Sequence, residues 1–93
     1  MLRSATISGV VLAMLAVGAG TAPANAAEVC GLDPNGDYYL SVREGPGSRY
    51  PELTRLGQRT YVDIIDSNDD GSWYVVEADG EPTGWVYAGY ICQ

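Results

Sequence analysis

Residues 40–51 read Leu-Ser-Val-Arg-Glu-Gly-Pro-Gly-Ser-Arg-Tyr-Pro, and they indicate the fold more clearly than any other segment. Leu40 and Val42 alternate with polar residues, and this period of two is typical of a β-strand. The strand ends at Gly45-Pro46-Gly47, because the glycines accept positive φ and the proline fixes its own φ. The stretch therefore predicts a strand that runs into a rigid loop carrying an aromatic residue, Tyr50.

The rest of the chain after residue 37 also predicts short strands separated by turns. Residues 67–71, Ser-Asn-Asp-Asp-Gly, are dense in turn formers, and Asp79-Gly80 is a strong hairpin signal. Short strands at this close spacing favour an all-β barrel of about five antiparallel strands. The expected elements are strands at 38–42, 60–66, 73–78 and 83–87, a helical turn at 88–90 leading into Ile91-Cys92, and a long loop at 43–59 anchored by Leu53 and Leu56.

Three segments carry a resemblance to a known family. Residues 40–50, 71–76 (Gly-Ser-Trp-Tyr-Val-Val) and 84–91 (Gly-Trp-Val-Tyr-Ala-Gly-Tyr-Ile) resemble, in order and spacing, the motifs of the bacterial SH3-like (SH3b) domain family. The resemblance covers about residues 38–92 and implies a small SH3-like barrel that acts as a binding module. One departure affects the long loop: Arg59 stands where the family usually has a glycine, and Gly57 lies two residues earlier.

The first 26 residues have the pattern of a secretory signal peptide. Arg3 gives a positive start, an apolar stretch follows, and Ala24-Asn25-Ala26 supplies the small residues that a signal peptidase reads. A membrane anchor is the alternative, but the apolar stretch is shorter than the roughly 20 residues of a span and is interrupted by glycines. We expect cleavage after Ala26, an irregular leader at 27–37, a barrel domain at 38–93, and a location outside the cell, in association with the cell wall.

Cys30 and Cys92 are the only cysteines and lie at the two ends of the expected mature domain. A domain this small buries only roughly 60% of its unfolded surface and is marginal without a cross-link. Export would place both thiols in an oxidising compartment, which favours a disulfide. Closing a loop of about 60 residues stabilises by roughly 4 kcal/mol in the chain-entropy model. Free thiols or a shared metal are the alternatives, and the chain has no histidine to complete a metal site.

The charge of the expected mature domain excludes several partners. Its four arginines and twelve carboxylates give a net charge of −8, with no lysine. Binding of nucleic acid requires a basic surface, which this domain lacks. Anionic lipid surfaces would repel the domain because both carry negative charge. We expect a monomer with no nucleic-acid partner, no membrane association after signal cleavage and no cofactor.

Residues 66–77 match the calcium-loop pattern Asp-x-Asn-x-Asp-Gly-x5-Glu. The oxygen ligands would come from Asp66, Asn68, Asp70 and Glu77. The flanking sequence is strand-like, however, and an extended segment of about 3.3 Å per residue would carry Glu77 away from the turn. A hairpin turn without a specific metal site is the leading interpretation, and a calcium site is the alternative.

Catalysis has no support in the sequence. There is no histidine to act as a general base, and no serine sits in a nucleophile-elbow context. The many carboxylates of an acidic protein usually face water. We expect a protein that is not an enzyme.

Seven tyrosines and two tryptophans, with no phenylalanine, supply the remaining signal. Such rings suit both small cores and binding surfaces. Resemblance to SH3 folds implies that Trp73 and Tyr90 line a ligand groove, which Tyr50 could join, whereas the alternative is that these rings only cover one end of the barrel. The residues expected to point inward are Leu40, Val42, Val62, Ile64, Tyr74, Val76, Val86 and Ile91.

Two functions follow from these observations. The first is a secreted, non-catalytic recognition module that binds a cell-wall peptide or an extended protein segment in an aromatic groove. The second is a disulfide-linked scaffold or regulatory protein that pairs with another exported protein through its acidic surface. A contiguous cleft of Trp73, Tyr90 and Tyr50 favours the first, and scattered aromatic residues beside a clustered acidic patch favour the second.

Overall fold

The computed structural model describes residues 25–93, and these residues form seven short strands and one 3-10 turn. The predicted signal peptide, apart from its last two residues, lies outside the described residues. The elements are β1 (Ala26–Val29), β2 (Leu40–Arg43), β3 (Glu52–Leu56), β4 (Tyr61–Ser67), β5 (Trp73–Glu77), β6 (Gly84–Tyr87), the 3-10 turn (Ala88–Tyr90) and β7 (Ile91–Cys92).

All strand pairs are antiparallel, and the strands follow the order β3-β2-β6-β5-β4-β1-β7 in one sheet. Strands β2, β4, β5 and β6 occur where the sequence predicts strands. The architecture confirms the predicted all-β fold of a small SH3-like barrel.

Strand β1 replaces part of the predicted irregular leader. Ala27 and Val29 are buried while their neighbours are less so, and β1 pairs with β4 on one side and β7 on the other. Val29 is fully buried, and its amide donates to the carbonyl of Thr60 at 2.9 Å. The prediction was wrong for residues 27–29, because two small alanines give an alternation too weak to distinguish a strand from a leader.

Strand β3 lies inside the predicted long loop. It pairs with β2 along most of its length, with Leu40 opposite Leu56 and a bulge between Val42 and Arg43. Leu56 is buried as expected, but Leu53 is 39% exposed and does not anchor the loop in the core. About five strands were expected and residues 25–93 form seven, and β1 and β3 account for the difference.

The core consists of aliphatic side chains from most of the strands and from the segment after β1. Of the residues predicted to point inward, five are buried, and Ile64, Tyr74 and Ile91 are partly buried and pack on the core. Each fully buried side chain of this size stabilises the fold by roughly 1.5–3 kcal/mol. The buried residues are Ala27, Val29, Leu32, Leu40, Val42, Leu56, Val62, Val76 and Val86.

Cys30 and Cys92 form a disulfide, with their Cα atoms 5.9 Å apart, which confirms the predicted bridge. The geometry follows from β1 pairing with β7, since Val29 lies opposite Ile91. The bridge therefore ties the residue that follows β1 to the last strand.

Arg59 marks the departure from the family pattern noted in the sequence. Its φ is +70°, in the left-handed region where the family usually has glycine. In this region a non-glycine residue has a conformational energy roughly 1–2 kcal/mol less favourable than in the right-handed region. The position is held by hydrogen bonds on either side: the Arg59 amide donates to the carbonyl of Val29, and the Thr60 amide donates to that of Gly57.

Candidate functional site

Residues 66–71, which are the last two residues of β4 and the turn that follows, are hereafter the Asp-rich turn. This turn positions the first residue of β5. The Asn68 amide donates to the carbonyl of Trp73, and the Asn68 side-chain oxygen accepts from the Trp73 amide, each at 3.0 Å. The carboxylate of Asp70 accepts from both the amide and the hydroxyl of Ser72. These bonds lower the pKa of Asp70 from its ordinary value, the Ser72 hydroxyl being the largest cause.

This geometry does not assemble the calcium loop that the sequence offers as an alternative. Glu77 lies opposite Asp63 in the β4–β5 ladder, whereas the strand end nearest the turn pairs Ser67 with Tyr74. Three residues of strand, at about 3.3 Å each, therefore separate Glu77 from the residue beside the turn. Within residues 25–93, no group of three or more His, Cys, Asp or Glu side chains is placed to hold a metal ion.

The 3-10 turn lies beside β5 and carries Tyr90. The Ala88 amide donates to the carbonyl of Ser72 at 2.8 Å, and this bond fixes the start of the turn next to Trp73. In the β5–β6 ladder, Trp73 lies opposite Tyr87. Two backbone contacts thus bring Trp73, Tyr87 and Tyr90 to one end of the barrel.

The three rings form a contiguous edge-to-face series. The ring centroids of Trp73 and Tyr87 lie 5.7 Å apart, with the ring planes at 72°, and those of Tyr87 and Tyr90 lie 5.9 Å apart at 61°. Such arrangements contribute about 0.5–1.5 kcal/mol per pair beyond the area they bury. Tyr90 nonetheless remains 40% exposed, and Trp73 is partly exposed. None of the three belongs to the core or to the partly buried side chains packed on it.

These rings line a cavity of about 590 Å³, hereafter the aromatic groove. Tyr39 is its fourth aromatic residue. β2 contributes Leu40, Ser41 and Arg43, and Ser48 comes from the Gly-Pro loop. The remaining lining residues are Leu32, Asp33, Gly36 and Asp37.

Tyr50 does not line the aromatic groove, contrary to the sequence-based expectation. Its ring lies over Gly45, where an added Cβ would meet ring atoms at 2.5 Å. Its carbonyl accepts a hydrogen bond from the guanidinium of Arg43 at 2.9 Å. Tyr50 therefore packs within the Gly-Pro loop, and the loop reaches the groove through Ser48 instead.

A family-level comparison agrees with this architecture. The family model described as the bacterial SH3 domain matches residues 39–91. The chain belongs to the bacterial SH3 domain family. No curated protein and no solved structure gave a significant match. SH3-like domains are generally non-catalytic modules that bind peptide or protein partners.

Sequence reasoning missed several groove residues of this bacterial SH3 domain. Tyr87 could have been found from alternation, because its neighbour Val86 is a core residue and Tyr87 must then face outward. Its contact with Trp73 depends on the β5–β6 register, which the length of the hairpin loop sets. No sequence pattern marked Asp33 and Asp37 as groove residues, because the segment that contains them shows no regular alternation.

An ion pair between Glu52 and Arg55 lies beside the groove, on β3 of this SH3 domain. Hydrogen bonds from the Ser41 hydroxyl and, second, from Arg55 lower the pKa of Glu52. The same carboxylate raises the pKa of Arg55, whose guanidinium also lies 4.1 Å from the centre of the Tyr39 ring. The guanidinium of Arg55 thus already covers the groove tyrosine Tyr39, whereas in the described part of the chain no contact of this kind is made by Tyr87 or Tyr90.

A second cavity, of about 520 Å³, lies near β1 and β4 and shares no lining residue with the aromatic groove. Tyr61, which is 79% exposed, lines it together with Asp63, Glu77 and Asp79. Asp63 and Glu77 are direct cross-strand neighbours, and like charges in such a pair are unfavourable.

Among residues 25–93 there is no helix long and apolar enough to cross a membrane.

Proposed function

We propose that this protein is a secreted bacterial SH3 module that binds a cell-wall peptide or an extended protein segment in its aromatic groove. The observation that carries the proposal is the contiguous set of Trp73, Tyr87 and Tyr90 rings, partly exposed and outside the core. Rings that a fold does not need for its core, held in fixed positions by backbone hydrogen bonds, form a preorganised binding surface.

The dimensions and chemistry of the groove support a peptide-like ligand. Its volume of about 590 Å³ falls within the range of roughly 300–1,000 Å³ common for binding sites. Aromatic-lined grooves bind extended peptides because the rings contact prolines and aliphatic side chains while the tyrosine hydroxyls hydrogen-bond to the peptide backbone. The exposed hydroxyls of Tyr87 and Tyr90 would serve this second purpose.

Secretion is part of the proposal and rests on two independent features. Residues 1–26 have the pattern of a signal peptide, and the Cys30–Cys92 disulfide is of the kind that persists in oxidising compartments. A net charge of −8 would keep the exported domain soluble and monomeric, and anionic surfaces would repel it at low salt.

A second candidate function is pairing with another exported protein through the acidic surface. The observation in its favour is the Asp63–Glu77 cross-strand pair at the second cavity, because a basic partner would relieve the repulsion. If this function is correct, Asp63→Asn and Glu77→Gln abolish capture of the partner and the groove variants do not.

The proposed function is tested by co-sedimentation of the exported, disulfide-bonded protein with insoluble peptidoglycan, and by a parallel array of extended peptides. Trp73→Ala and Tyr90→Ala remove groove rings, and Tyr61→Ala is the matched control, since it removes an exposed tyrosine outside the groove. We expect wild type and Tyr61→Ala to bind in one of the two assays and both groove variants to lose at least tenfold in affinity. Equal binding by all four proteins, or no binding by any, contradicts the proposal.

A further inference from the structure

The segment between β1 and β2, residues 31–37, is hereafter the acidic wall. It lies outside the region matched by the family model, which starts at residue 39. It nevertheless contributes four of the twelve residues that line the aromatic groove. One wall of the groove is therefore a feature of this chain in addition to its SH3 domain.

The acidic wall is held firmly at its start. Cys30 is bonded to Cys92, and the Cys30 amide donates to the carbonyl of Tyr90 at 2.9 Å. Leu32 is only 6% exposed and belongs to the core, and its amide donates to the side chain of Gln58. Gly31 adopts a φ of +71° directly beside the ring of Tyr90, so the chain turns sharply at the edge of the groove.

A local turn orients the first carboxylate of the acidic wall. The Gly36 amide donates to the carbonyl of Asp33 at 3.0 Å, and the Asn35 amide donates to Oδ1 of the Asp33 side chain at 2.9 Å. The second oxygen of that carboxylate has no protein donor in the described part of the chain and lies 3.2 Å from the point where a Cβ on Gly36 would be. Asp33 and Asp37 are both exposed. The turn thus holds a negative charge at the groove with one oxygen available.

The balance of charge at the groove favours a positively charged ligand. Its lining includes the carboxylates of Asp33 and Asp37 and one cation, Arg43, whose guanidinium already donates to the carbonyl of Tyr50. Arg55, which lies over the Tyr39 ring and is attracted by Asp37, already forms an ion pair with Glu52. A cation at this position would also meet the faces of tyrosine rings, whose negative quadrupole attracts it. Arg55 over the ring of Tyr39 shows that a groove tyrosine accepts a guanidinium in this way.

We propose that the acidic wall determines specificity: Asp33 and Asp37 select peptide segments that carry a lysine or arginine side chain next to the rings of Tyr87 and Tyr90. The inference rests on the proposed function, because it assigns the chemistry of the ligand at the same groove. It adds that the disulfide has a role in recognition, since it fixes the wall against the 3-10 turn.

The test uses an array of capped peptides in which one position varies among lysine, arginine, glutamine and glutamate. The variant is Asp33→Asn/Asp37→Asn, in which the asparagine oxygen can still accept the Asn35 amide and preserve the turn. The control is Asp66→Asn/Asp69→Asn, which removes the same charge at two exposed residues that do not line the groove. Binding is measured at low salt and again at high salt, where exposed ion pairs weaken.

We expect wild type and the control to bind basic peptides about fivefold to tenfold more tightly than their glutamine counterparts, as two exposed ion pairs allow. In Asp33→Asn/Asp37→Asn this preference should disappear while binding of the glutamine peptides is retained. Binding that depends on Trp73 but shows no basic preference, or the same preference in the variant, overturns the inference and leaves the proposed function standing. No binding of any peptide or of peptidoglycan overturns both.

Discussion

Gly84 begins β6, at a point where the strand passes close to β2. A Cβ at this position would lie 2.7 Å from the carbonyl oxygen of Arg43, 2.7 Å from Cγ1 of Val42 and 3.1 Å from Cδ1 of Leu53. The first contact is with backbone, and Val42 is only 1% exposed, so neither neighbour can move freely. Gly84→Ala therefore has to separate β2 from β6.

Overpacking of a well-filled core typically lowers the free energy of unfolding by about 1–3 kcal/mol. Because the added Cβ clashes with both the backbone and a core side chain, we expect Gly84→Ala to lose about 3 kcal/mol. For a domain of this size that corresponds to a fall in Tm of roughly 12–24 °C. Gly57→Ala is the matched control, because an added Cβ there meets nothing within 4 Å and the residue does not have a positive φ. We expect Gly57→Ala to stay within about 0.5 kcal/mol of wild type.

Urea and thermal melts followed by circular dichroism measure both variants under oxidising conditions, so that the disulfide is constant. Equal stabilities for Gly84→Ala and Gly57→Ala would refute the close approach of β2 and β6. That result would also remove the support for the groove, because β2 supplies Leu40, Ser41 and Arg43 to its lining.

Three further predictions concern the disulfide, an exposed carboxylate and a strained turn. Replacing Cys30 and Cys92 together by serine should lower the free energy of unfolding by about 4 kcal/mol in urea melts, and alkylation of the native protein followed by mass spectrometry should find no free thiol. The pKa of Glu52 is lowered chiefly by the Ser41 hydroxyl, so this carboxylate stabilises the fold above its ordinary pKa and ceases to do so as the pH falls through the lowered value. Ser41→Ala should raise the Glu52 midpoint in an NMR pH titration, and an unchanged midpoint would contradict the assigned hydrogen bond. Arg59→Gly should stabilise by about 0.5–1 kcal/mol, because relief of a left-handed residue outweighs the added entropy of the unfolded chain; a loss of stability would contradict the turn geometry.

The sequence predicted the parts of the fold that have strong local signals. The alternation at Val62 and Ile64 and the aromatic, β-branched run at Trp73 located β4 and β5, since each period of two is repeated over several residues. The Cys30–Cys92 bridge was predictable because the chain has only these two cysteines. β3 was hidden because Pro51 and the preceding glycines read as loop, and only its pairing with β2 makes residues 52–56 a strand.

The candidate site was predictable only in part, because much of it depends on contacts between segments distant in sequence. Trp73 and Tyr90 were found from motifs, but their link is Tyr87, whose position depends on strand register. Tyr50 was misplaced because the direction of a Gly-Pro loop follows from its packing, here on Gly45. The acidic wall was missed because its order comes from the disulfide and from the burial of Leu32, neither of which a local pattern reveals.

The indole NMR signals of the two tryptophans report most directly whether the aromatic groove binds an extended peptide. Trp73 lines the groove, whereas Trp85 does not and pairs with Arg43 and Val75 within the sheet. In ¹⁵N-labelled protein each indole N–H gives its own NMR signal, so one titration with a peptide selected from the array, or with soluble peptidoglycan fragments, observes both sites. We expect a saturable shift of the Trp73 indole signal, with the Trp85 indole signal nearly unchanged. Saturable binding that moves only Trp85, or neither indole, would contradict it.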